Sequence, residues 1–84
     1  MGRVVRVRLE PSEKCRKSPG ALLMAVLLDM RGGDRLVVEG VEYYMRHSRL
    51  LELLEAEGLT VVSDTFDGAT YRVEAVKPGG GARE

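Results

Sequence analysis

The residues best equipped for chemistry stand together near the amino end: Lys14, Cys15, Arg16 and Lys17, followed directly by Ser18 and Pro19. Cys15 is the only cysteine among the 84 residues, so it offers a single sulfur nucleophile and no disulfide within the chain. A free thiol titrates near ~8.5, and adjacent Lys or Arg, or the start of a helix, lowers that by a unit or more. Ser18 reads as a helix N-cap, its hydroxyl accepting from an orphan amide, and Pro19 as the first helical residue, where its missing N–H is no loss. The spacing therefore predicts a thiolate on a basic loop, at the positive end of a helix dipole. A lone cysteine also serves as a small apolar residue, and that reading stands beside the reactive one.

The elements that must position Cys15 lie on either side of it. Arg3 to Leu9 alternates with period two, Val5, Val7 and Leu9 on one face and Arg6 and Arg8 on the other, which predicts a half-buried first strand ended by Pro11. The helix runs from Pro19 to about Arg31, with Leu22, Leu23, Val26, Leu27 and Met30 on the face that packs on a sheet. Met24 and Leu28 fall nearly opposite, a candidate interaction patch for a partner or a second copy; scattered exposed apolar residues are also normal. Arg31 to Asp34 supplies a C-cap glycine and a turn.

Arg35 to Glu39 is a short β-branched strand broken by Gly40, and the strand-helix-strand order makes a right-handed parallel unit. Helical spacing then begins between Val41 and Ser48 and continues to Glu57. His47 falls on its apolar side, where a part-buried histidine with one hydrogen bond is expected; no cluster of ligands accompanies it, so no metal site is assigned. Tyr43 and Tyr44 divide between core and rim. Two last strands, Leu59–Thr65 and Ala69–Lys77, flank Asp67-Gly68, a hairpin signal. That turn pairs Thr60 with Ala75, Val62 with Val73 and Asp64 with Tyr71 facing inward, and Val61 with Glu74 and Ser63 with Arg72 facing outward. The expected architecture is an α+β two-layer sandwich, β-α-β-α-β-β, with two helices on one face of a mixed four-stranded sheet. Arg6, Arg8, Arg72 and Glu74 mark its uncovered face. Residues 1–77 form one domain and 78–84 a flexible tail.

Composition narrows the function classes. The chain is 44% apolar and 31% charged with zero formal net charge, as expected of a soluble globule. Residues 1–17 hold six Lys/Arg against two Glu, and the rest seven against eleven acids, so the amino end is basic. Such an asymmetry attracts anionic ligands, acidic protein surfaces or nucleic acid. No secretory leader and no apolar run near ~20 residues appear, which predicts a cytoplasmic protein without a membrane partner. There is no Ser-His-Asp set, no phosphate-binding glycine loop before a helix and no metal cluster.

The order of landmarks resembles the SirA/TusA-like small sulfur carriers, over roughly Val4 to Lys77. The resemblance rests on the early Cys15, Pro19 at the helix start, Gly33-Asp34 before the Leu36-Val37-Val38 strand, and Phe66-Asp67-Gly68-Ala69-Thr70-Tyr71 before the last strand. It implies the same sandwich, with Cys15 as a cofactor-free persulfide carrier between sulfur-donating and sulfur-accepting proteins, in the manner of a sulfurtransferase. Lys14, Arg16 and Lys17 would stabilise the anion, and Ser18 and Pro19 would fix the helix. The family's Cys-Pro-x-Pro is here Cys15-Arg16-Lys17-Ser18-Pro19, one residue longer and without the first proline. The alternative on the same fold is a non-catalytic interaction or regulatory domain, or an RNA-binding module resembling the C-terminal domain of translation initiation factor three. Zero net charge and a single phenylalanine disfavour nucleic acid.

Overall fold

The computed structural model describes residues 2–10 and 18–78. Lys14, Cys15, Arg16, Lys17 and the tail from residue 79 onward lie outside the described residues. Six elements follow in the expected order: β1 (Val4–Leu9), α1 (Pro19–Asp29), β2 (Arg35–Val41), α2 (His47–Ala56), β3 (Thr60–Phe66) and β4 (Thr70–Val76). They build an α+β fold on one mixed sheet of strand order β1-β2-β4-β3, in which β1 runs parallel to β2 and the other neighbours are antiparallel. Leu36, Val38, Val73 and Ala75 share one face of the central strands, and against them pack Leu23 and Leu27 of α1 and Leu50 and Leu54 of α2. Burial of that apolar surface is the main force holding helices to sheet.

Several boundaries differ from the sequence expectation, each for a local reason. Gly40 does not end β2: it pairs with Leu9 on one side and Tyr71 on the other. A Cβ on Gly40 would stand 2.5 Å from the Tyr71 hydroxyl oxygen, so glycine is required there by the ring that crosses it. The Tyr71 hydroxyl reaches on to donate to the Met45 carbonyl at 2.8 Å. Helix α1 stops at Asp29 with Met30 already extended, and Gly33, at φ +91°, turns the chain between Arg31 and Asp34 instead of capping the helix.

Helix α2 begins only at His47, because Tyr44 and Met45 first close a separate turn onto the Val41 carbonyl. The Glu42 carboxylate then accepts from the His47 amide at 2.7 Å, at the start of the helix. Tyr43 is consequently not helical and is exposed, whereas Tyr44 packs against the core.

The hairpin is re-registered. Its turn is centred on Gly68-Ala69 rather than Asp67-Gly68, so Phe66, not Asp64, stands opposite Tyr71. The Asp67 carboxylate accepts from the Ala69 and Thr70 amides at 2.8 Å each, bonds that hold it below the usual carboxylate range, and Gly68 supplies the φ of +98°. A bulge between Val61 and Ser63 then changes the alternation, so that Val61 lies opposite Ala75 and Thr60 opposite Val76. Every residue of β3 is exposed, and Asp64 opposite Val73 is a charge on the inner face of an edge strand. A bulge and an inward charge are devices that discourage edge-to-edge pairing.

Asp34 ties the amino end to the turn after α1. It is buried, and its carboxylate accepts from the backbone amides of Arg31 at 2.9 Å and Arg3 at 3.0 Å and from the Arg3 guanidinium at 3.2 Å. Those amides, Arg31 first, hold its pKa down to about 2 from an ordinary 3.8, against the opposing effect of burial. A depressed carboxylate stabilises the fold above its ordinary pKa and loses that contribution as pH falls through the folded value. Urea midpoints should therefore fall as pH drops from about 4 to 2, and Asp34→Asn should be less stable near neutrality and flatten that slope. An unchanged slope would remove Asp34 from the acid response. At the other extreme, burial raises the Tyr71 phenol to about 12, with Glu42 adding to the shift, so stability should also fall as pH rises from 10 to 12.

Candidate functional site

The start of α1 is built as its residues require. Ser18 has extended backbone and its hydroxyl oxygen accepts from the Ala21 amide at 3.2 Å, while Pro19 opens the helix. The first turn carries no acidic side chain, so nothing there offsets the partial positive charge of its free amides. Cys15 stands three residues before this cap in the sequence.

Beside that helix start lies a groove of about 550 Å³ between the first turn of α1 and the start of α2. Its walls include Pro19, Met24, Tyr44, Met45 and Leu53, with Arg46 and Arg49 as its cations. Met24 is thus half-buried and packed against the core, whereas Leu28, one turn later, is 77% exposed. The two do not form a common exposed patch. Helical angle alone placed them together; the position of α2 separates them.

A second cluster was not legible beforehand. The His47 ring nitrogen Nε2 lies 2.6 Å from Asp64 Oδ1, and the imidazole stacks on Phe66 with centroids 4.4 Å apart and packs near Tyr71 at 5.4 Å. His47 has the partial burial and the hydrogen-bonded partner expected of it. The inward placement of Asp64 was the available signal, but its partner depends on how α2 crosses β3. Among the described residues no group of three or more His, Cys, Asp or Glu is placed to hold a metal ion.

The uncovered sheet face carries Arg6, Arg8, Arg72 and Glu74, joined across the strands by Arg35 and Glu39. Glu39 lies 3.7 Å from Arg8, and Glu74 lies 3.6 Å from Arg35 and 3.3 Å from Arg72. These pairs, whose arginines are exposed, contribute little stability, but they cancel much of the face's positive potential. No helix among the described residues is long and apolar enough to cross a membrane.

No family model, no curated protein and no solved structure matches the chain.

Proposed function

We propose that the protein relays sulfur as a persulfide on Cys15. The observation that supports this reading is the start of α1, where Ser18 caps and Pro19 opens an acid-free helical turn directly after the Cys15 segment. It occurs in the β-α-β-α-β-β order that the resemblance to SirA/TusA-like carriers implies. In the loading step the Cys15 thiolate attacks the outer sulfur of a donor persulfide, a new S–S bond forms, the donor's S–S bond breaks, and the donor leaves as a thiolate. An acceptor thiolate then attacks the outer sulfur on Cys15 and returns the Cys15 thiolate. Sulfur moves at an unchanged total oxidation level, so no external oxidant or reductant is consumed.

Lys14, Arg16 and Lys17 would favour the thiolate before attack and the persulfide anion after it. With one cysteine in the chain, no second thiol can discharge the persulfide intramolecularly. RNA binding on the uncovered face is the weaker reading, because Glu39 and Glu74 lie between the arginines that phosphates would need.

Intact-mass analysis after exposure to a persulfide donor tests the relay. Wild-type protein should gain one sulfur atom and pass it to an acceptor thiol, and Cys15→Ala should gain none while keeping the wild-type unfolding midpoint. Equal loading of the variant, or a wild-type thiol that takes up no sulfur, would reject the reading.

A further inference from the structure

We infer that the groove between α1 and α2 is the docking site for a short acidic and apolar peptide segment of a partner protein. Its wall supplies the flexible thioethers of Met24 and Met45 beside Tyr44 and Leu53, a lining that adapts to apolar anchors. Its volume of about 550 Å³ is that of a site for a few side chains rather than a whole domain face.

The charge pattern selects the sign of the occupant. Arg46 and Arg49 line the groove, both are exposed, and no acidic side chain is among the described residues lining it. Two helix starts converge there, and neither α1 nor α2 has an acidic residue in its first turn. The carboxylates nearby are accounted for: Glu42 accepts from the His47 amide, and Glu52 meets Arg49 only at a solvent-exposed 3.6 Å. Arg46 has no ion pair among the described residues. Positive rim and apolar wall together complement a segment in which Asp or Glu flanks large apolar residues.

The segments of this chain outside the described residues do not match that chemistry. Residues 79–84 contain three glycines, an alanine, one Arg and one Glu, with no large apolar side chain to fill the groove. Residues 11–17 carry Lys14, Arg16 and Lys17 against the single Glu13, a net charge of the same sign as the rim, and no large apolar side chain. The inference is independent of whether Cys15 carries sulfur.

A random dodecapeptide library displayed on phage and panned against the full chain tests it. Enriched peptides should combine apolar residues with Asp or Glu, and the synthetic form of the best one should shift the Met24 methyl resonance while leaving that of core-buried Met30 in place. Arg46→Glu with Arg49→Glu should weaken that peptide about tenfold or more. Acidic residues are well tolerated in a first helical turn, and thermal melting of the double variant confirms that it folds. Cys15→Ser should bind the peptide as tightly as wild type, so the docking result stands or falls apart from sulfur loading. No enrichment, enriched peptides that are not acidic, shifts confined to other residues, or equal affinity for the double variant would each overturn the proposal. Concentration-dependent Met24 shifts in the protein alone would overturn it in favour of a second copy.

Discussion

Gly40→Ala should destabilise the protein by about 2–4 kcal/mol, although alanine is the better residue for most strands. Gly40 does not have a positive φ, so the substitution adds no backbone strain and restricts the unfolded chain, a gain of about 0.4–1 kcal/mol. The new methyl, however, would meet the Tyr71 ring at 2.6 and 2.7 Å and its hydroxyl oxygen at 2.5 Å. An aromatic ring wedged between β2 and α2 cannot yield as a lysine tip would. Relief requires the ring to move, and movement breaks the buried bond from the Tyr71 hydroxyl to the Met45 carbonyl. Overpacking costs about 1–3 kcal/mol and an orphaned buried polar group about 1–3 more, so the loss wins. Urea unfolding measures it, with Gly20→Ala as the control, because a Cβ there meets nothing within 4 Å. If both variants unfold at the wild-type midpoint, Tyr71 does not lie across Gly40.

Leu54→Ala should cost about 2–5 kcal/mol, the range for a fully buried leucine truncated in a rigid core. Leu54 has no exposed surface, and it sits on the α2 face that packs with Leu50 against the sheet. A domain of this length has a total stability of roughly 4–13 kcal/mol, so the variant stands near the edge of folding. Leu28→Ala on α1 should change stability by less than about 0.5 kcal/mol, since Leu28 is 77% exposed. A comparable loss from both would mean that Leu28 is covered in solution, which a sizing column would show as a change of association state.

The order of six elements was legible because each carries a local signal, a period, a cap, a β-branched run or a turn. Alternation marks β1, the Ser18-Pro19 signal marks the start of α1, and an apolar stripe marks the inner face of each helix. The covered and uncovered faces of β1 and β4 followed from alternation, whereas the Leu36-Val37-Val38 run of β2 does not alternate and its faces came from the pairing. A tertiary contact overrode the local signal at Gly40, and a competing local one did so in the hairpin. A glycine normally punctuates a strand, yet at Gly40 it admits the Tyr71 ring; Asp-Gly normally fills a two-residue turn, yet Asp67 here bonds its own loop amides and moves the turn onward.

The candidate site divides along the same line. The single cysteine, its basic neighbours and the helix cap that follows were legible in the sequence, because these are properties of adjacent residues. That Met24 turns toward α2 while Leu28 stays in solvent, that Arg46 and Arg49 border the groove beside Pro19, and that Asp64 meets His47 emerges from the packing of the elements alone. Those pairings join residues far apart in the chain. They depend on where α2 starts and how it crosses the sheet, and no local periodicity encodes that crossing.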